Sequence, residues 1–313
     1  MRSFFIDNIK NLLGRGNSRR IIAFAVDDYG NVRVESKHAR QRMDAQGMKI
    51  LNVFDAYDSL ETRDDLSSLF DTLTSVKDCN GNPAVFTCFS VPCNLNFDKI
   101  AESGYSEFFN ELLPSTFAKA NPVEYTGAWE LWKEGISKGI LSPAFHGREH
   151  LNLKVFKHKL AKKDSEVLTA LQNRSYCSIS SSEFHTISYT AAYDFDKISE
   201  NESFRELIES GLDNFEKVFG FRAIHFNSPG GREHSSLHKI FSDGGVEILD
   251  TPFIKREHQG SGKYKKVLNF TGKFNSVGQV FCVRNCVFEP SSLTPENAID
   301  NTLVQIERAF FWN

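Results

Sequence analysis

The chain reads as an α/β protein: a single distorted (β/α) barrel of about seven strands, open or incomplete at its C-terminal end. Three observations predict this. Apolar, β-favouring runs alternate with helix-patterned stretches along almost all of the 313 residues, which is the pattern of parallel βα units. No Pro/Gly/Ser-rich linker divides them, and a chain of this length can form one large α/β barrel. The first apolar run, IIAFAVDDYG (residues 21–30), ends abruptly in charge and Gly, as a strand buried on both faces does.

Residues 1–20, MRSFFIDNIKNLLGRGNSRR, read as a short amphipathic helix and a basic linker ahead of the barrel, which takes residues 21–313. The segment lacks the apolar core of a signal peptide. After the strand at 21–30, ESKHARQRMDAQG (35–47) carries helix formers closed by a Gly. Leu60, Leu66, Leu69, Phe70 and Leu73 are close to helical spacing and predict a helix over 60–76. PAVFTCFSV (83–91), introduced by Asn-Gly-Asn-Pro, is a second buried strand. Residues 104–113 and 125–138 are expected helices, the latter with Trp129 and Trp132 on one side. GILSPAFHG (139–147) is the third strand and runs into HGREH.

Residues 151–172 are helical and basic, a solvated face. An amphipathic helix over 203–218 stops at Gly220. FRAIHFNSPGG (221–231) is a strand ending in a turn, and a helix follows over 232–241. GVEILDTPF (245–253) is a strand, 255–263 a polar loop, and KYKKVLNF (263–270) and QVFCVRNCVFEP (279–290) are further strands. A Thr-Pro-Glu start signal opens a final helix over 294–312.

Composition excludes several functions. A net charge of -3 gives no electrostatic case for nucleic acid or an anionic membrane. No apolar run approaches the roughly 20 residues that span a bilayer. The 28 Phe fall mostly in apolar runs and read as core. Six Cys without a CxxC pair read as reduced thiols, so the expected location is the cytoplasm. Cys282 and Cys286, on one face of a β-like run, stand too far apart to bond directly.

Chemistry gathers at strand ends. In a parallel α/β protein the C-terminal edge of the sheet carries the site, and Asp27 and Asp28 stand there. Taken alone they are ordinary turn residues. HGREH places His146 and His150 four apart where another strand ends. If the chain turns helical after His146, the imidazoles lie one turn apart on one face and offer a bite for one metal ion. Two nitrogens and one carboxylate make a three-ligand site with room for water. His225 shares its face of a strand with Asn227, and its bland reading is a hydrogen-bonded core His. Asp250 at the end of GVEILD either orients a His or begins a turn. Tyr29, Trp129 and Phe253 suit either stacking on a ligand ring or packing.

On AVDDYG and HGREH, in that order and at wide spacing, the chain resembles the polysaccharide deacetylase (NodB-homology, carbohydrate esterase) superfamily from about residue 21 onward. A third family motif, Arg-x-Pro-x-Gly, is partly matched by NSPGG (227–231). The resemblance implies a metal-dependent hydrolase that removes an N- or O-acetyl group from a carbohydrate or amino sugar. Asp27 would be the general base for the attacking water. Asp28, His146 and His150 would hold a divalent metal, zinc first among them, which lowers that water's pKa and polarises the acyl carbonyl.

Two departures stand out. The family's third-motif Arg, which pairs with the base, falls at Asn227. The family's last motif, a strand ending in Leu-x-His that supplies the general acid, is not found. The expectation is that the acid lies beyond Asn313, with His225 next in line. Two other readings stay open. One is a non-catalytic carbohydrate-binding or structural barrel that has lost its chemistry. The other takes HGREH as the His-x-x-Glu-His of a zinc peptidase with Glu149 as base; Pro143 disfavours the helix that motif needs, and the Asp pair is left unexplained.

Overall fold

The computed structural model describes residues 2–49, 52–120, 123–179, 183–290 and 295–312. Ten strands are found among them: β1 (Phe24–Tyr29), β2 (Phe86–Ser90), β3 (Cys93–Leu95), β4 (Asn110–Leu112), β5 (Leu141–Phe145), β6 (His225–Asn227), β7 (Ile248–Asp250), β8 (Ile254–His258), β9 (Tyr264–Leu268) and β10 (Val280–Cys282). Six form one sheet in the order β1-β2-β5-β6-β7-β10, and every pair in it is parallel. Parallel neighbours need crossovers, which the helices Arg63–Ser75, Ala128–Ser137, Phe204–Phe219 and His238–Asp243 provide between successive strands. The last crossover, from β7 to β10, holds the antiparallel hairpin β8–β9 instead. An open, barrel-like sheet was expected, and six strands rather than about seven build it.

The sheet is strongly curled. Laid flat, its two edge strands would stand roughly 24 Å apart at about 4.8 Å per step. Yet Arg284, two residues past β10, reaches Asp27 on β1 at 2.5 and 3.0 Å. The edges therefore approach one another at the C-terminal mouth, although no ladder joins β1 to β10.

That open edge corrects the expectation for the first run. It is not buried on both faces: Ile21, Ile22, Phe24 and Val26 are 39–54% exposed, and the strand begins at Phe24. As an edge strand, β1 has a sheet neighbour on one side only. The helix Pro295–Trp312 packs instead on the helix Arg2–Leu13, where the Trp312 indole N–H donates to Asn8 Oδ1 at 2.7 Å and Arg20 sits over the Phe310 ring.

Two local expectations also change. The helix expected over 104–113 lies earlier, at Phe97–Glu102, where Asn96 Oδ1 caps the Lys99 N–H; residues 110–112 are β4, recruited by β3. The polar loop expected over 255–263 contains β8. Its inward side chains are charged and paired: Lys255 with Glu233, and Glu257 accepting from the Ser235 N–H. Pairing lets a strand bury charge, and its composition then reads as loop. All six cysteines are thiols.

The core under the site is aromatic. Trp132 is fully buried among Tyr29, Trp129 and Phe219, with ring centroids 5.9–6.2 Å apart. Tyr29 follows Asp28 directly, so this packing anchors the end of β1. Tyr29 and Trp129 take part in this packing, and Phe253 is buried. Trp132→Ala is expected to cost about 3–5 kcal/mol, a large share of a typical total of about 5–15 kcal/mol, read as a fall in the urea midpoint.

Candidate metal centre

Successive strand residues normally point to opposite faces, so Asp27 and Asp28 should diverge. A bulge changes this. Val26 pairs with Cys88 and Tyr29 with Ser90, so Asp27 and Asp28 together oppose Phe89 alone. Asp28 takes a left-handed conformation at φ 66 and Gly30 follows at φ 71. Both carboxylates then reach the same mouth on different partners.

Asp28 Oδ1 lies 3.1 Å from His146 Nε2 and 2.9 Å from His150 Nε2. The three donor atoms all lie within 4.8 Å of one another. The histidines do not converge by the expected helical turn, because residues 146–152 are loop. Gly147 at φ 81 turns the chain there, and a Cβ on it would stand 2.9 Å from Pro229 Cγ. Beyond this loop, Asn152 caps the helix Leu153–Ala161.

The surroundings fit a metal. The backbone carbonyl of Asn227 accepts from His146 Nδ1 at 2.9 Å, which fixes the ring and turns Nε2 inward, the arrangement usual for ligating imidazoles. His150 Nδ1 is buried and has no hydrogen-bond partner among the described residues. Two ligands at about 2.1 Å in tetrahedral geometry stand roughly 3.4 Å apart, so the contacts at Asp28 need open only a few tenths of an ångström. Burial pushes the Asp28 carboxyl up, but His150 and His146 outweigh it and hold it well below the usual range. Burial pushes His146 down, and its bond to Asp28 outweighs that and raises it.

Asp27 takes no part in that cluster. Its two oxygens take a bidentate pair from Arg284 Nη1 and Nη2, and Arg284 Nε donates to Asp250 Oδ2 at 3.3 Å. The Asn227 side-chain amide donates to Asp250 Oδ1 at 3.3 Å. His225 packs edge-on against Phe89 at 4.7 Å, and its buried Nε2 has no hydrogen-bond partner among the described residues. Burial, then the Arg284 charge, pushes His225 down to about 4. Glu149 is engaged by Arg148 at 2.7 and 2.8 Å and is on a loop, which disposes of its reading as a peptidase base in a helix.

An open groove of about 290 Å³ runs beside Asp28, lined by Asp27, Asp28, Tyr29, Tyr57, Asp58 and Glu61 among others. Tyr57 is 73% exposed there. Burial, followed by the charge of Asp28, pushes the Asp58 carboxyl up to about 7. Sequence reasoning missed Arg284, Tyr57 and Asp58. Arg284 had a signal: it closes the apolar run VFCV just as the Asp pair closes the first run.

No protein-family model matches the sequence, and no curated protein matches it. Among solved structures the chain is similar to a 4-alpha-glucanotransferase from Thermococcus litoralis, at 10% identity and TM-score 0.34, over 74% of this chain and only 23% of that one. It is similar to IcaB from Ammonifex degensii, at 11% identity and TM-score 0.36, over 91% and 98% of the two chains. It is also similar to BC0361, a polysaccharide deacetylase from Bacillus cereus, at 10% identity and TM-score 0.37, over 92% of this chain and 69% of that one.

Proposed function

We propose that the chain is a metal-dependent hydrolase that removes an N- or O-acetyl group from a carbohydrate or amino sugar. The observation that carries the reading is the convergence of Asp28, His146 and His150 beside a second carboxylate, Asp27, that takes no part in that cluster. Asp28, His146 and His150 would hold a divalent ion, zinc first among the candidates. Such an ion lowers the pKa of water and polarises a carbonyl. Asp27 accepts the proton of the attacking water, since a carboxylate next to the ligands but not among them is free to do so. Arg284 fixes the orientation of that carboxylate. Tyr57 and the open groove offer the acyl sugar a surface beside Asp28.

The proton for the leaving group is the least provided-for part of the site. His225 is held neutral at pH 7 by burial and by Arg284, so it can offer an N–H hydrogen bond but not an imidazolium. This favours a second reading, a barrel that binds acylated sugar without turnover. A cytoplasmic setting is part of the proposal and rests on the six thiols. Among the described residues no helix is long and apolar enough to cross a membrane. The test is zinc-loaded protein with hexa-N-acetylchitohexaose and with O-acetylated xylan, following acetate release. Acetate release that chelation abolishes supports the hydrolase; saturable binding of either sugar without acetate supports the binding reading.

A further inference from the structure

We infer that Arg284 is the positioning residue for Asp27, delivered from the far edge of the sheet in place of the guanidinium that residue 227 lacks. The inference rests on Asp27 being the base of the proposed hydrolase. Three observations converge on it. The contact is bidentate, with Nη1 and Nη2 each on one oxygen of Asp27 at 3.0 and 2.5 Å, the geometry that fixes a carboxylate in both position and plane. The guanidinium is itself held: Nε donates to Asp250 at 3.3 Å, its carbon lies 5.7 Å over the Phe89 ring, and the neighbouring Asn285 donates to Asn11 at 2.7 Å. The position at which the resemblance expects the Arg holds Asn227, whose amide reaches Asp250.

Asp250 thus joins Asn227 and Arg284, and the Asn227 carbonyl orients His146. One chain of hydrogen bonds runs from the base to a metal ligand through β6, β7 and the segment after β10. Because Arg284 also spans the gap between the sheet's two edges, the place of the base depends on how far the sheet has curled. An Arg on β6 would have made the two independent.

Arg284→Gln and Arg284→Lys in zinc-loaded protein test the inference. With hexa-N-acetylchitohexaose, kcat of the Gln variant is expected to fall on the order of 10²-fold, as small misplacements of catalytic groups do. KM and zinc stoichiometry should hold, and Lys should recover part of the loss. In an Asp27→Asn background, Arg284→Gln should cost little more, because the two act as a unit. A full additional loss there, or unchanged kcat in Arg284→Gln, overturns the role.

A second measurement needs no turnover. Carbodiimide-driven amidation of Asp27 by glycine ethyl ester, located by peptide mass spectrometry, should run several-fold faster in both variants than in the wild type. Equal rates would show that the pair does not form in solution. Wild-type protein that releases no acetate while Asp27 is still shielded by Arg284 would overturn the hydrolase and with it the positioning role, leaving a salt bridge that only closes the sheet.

Discussion

Asp27→Asn is expected to abolish acetyl-group hydrolysis while leaving the bound metal in place. The substitution keeps the shape of the side chain and removes its ability to take a proton. Loss of general-base help alone is worth roughly 10²–10⁴ in rate. The carboxylate paired with His146 and His150 is that of Asp28, so metal content should stay at the wild-type level. An Asn can also accept only one of the two hydrogen bonds Arg284 offers, so the side chain loses its fixed plane as well as its basicity. Acetate release and metal content, measured on one preparation, check this. Turnover near the wild-type rate would remove Asp27 from the role of base.

His146→Ala combined with His150→Ala is expected to empty the site and bring activity to the uncatalysed level. Each histidine supplies one nitrogen to a cluster of only three protein donors, and two losses leave a single carboxylate. Such a site does not compete for a metal ion at ordinary concentrations. Elemental analysis after dialysis should show about one divalent ion per wild-type chain and essentially none in the variant.

The wild-type affinity should depend on pH in a stated direction. His146 is raised above its ordinary value of 6.5 by Asp28, so the metal must displace a proton from it. Binding therefore weakens as pH falls, with the loss already under way above the ordinary histidine value. A zinc competition titration across pH 6–9 reads this; flat affinity would mean that His146 is not a ligand.

Much of this arrangement was legible from local chemistry. A carboxylate pair closing an apolar run, and two histidines closing another, mark the C-terminal edge of a parallel sheet, because charge cannot continue into a core. How those residues meet was not legible. The bulge at Asp27 and Asp28 depends on the register of β1 against β2, which a single strand does not encode. The histidines converge through the turn at Gly147 and its close approach to Pro229, not through a helix with its regular spacing. The partner of Asp27 lies 257 residues away in sequence, beyond the reach of any pattern.

The exposed face of β1 misled for a related reason. IIAFAV has the composition of a central strand, yet it lies at the edge of an open sheet. Strand β8 was hidden in the opposite sense, since its inward side chains are charged and find partners, whereas its partner β9 was expected as a strand. In both cases the tertiary neighbours decided the outcome, and strand propensity is sensitive to such neighbours.

Asp28, His146 and His150 are expected to hold one metal ion beside an unligated Asp27. Anomalous diffraction from zinc-soaked crystals, collected on both sides of the zinc edge, tests it most directly. A single strong peak is expected at about 2.0–2.2 Å from one Asp28 oxygen and from Nε2 of both histidines, with Asp27 still paired to Arg284. A peak ligated by Asp27, or no peak at these three residues, would contradict it.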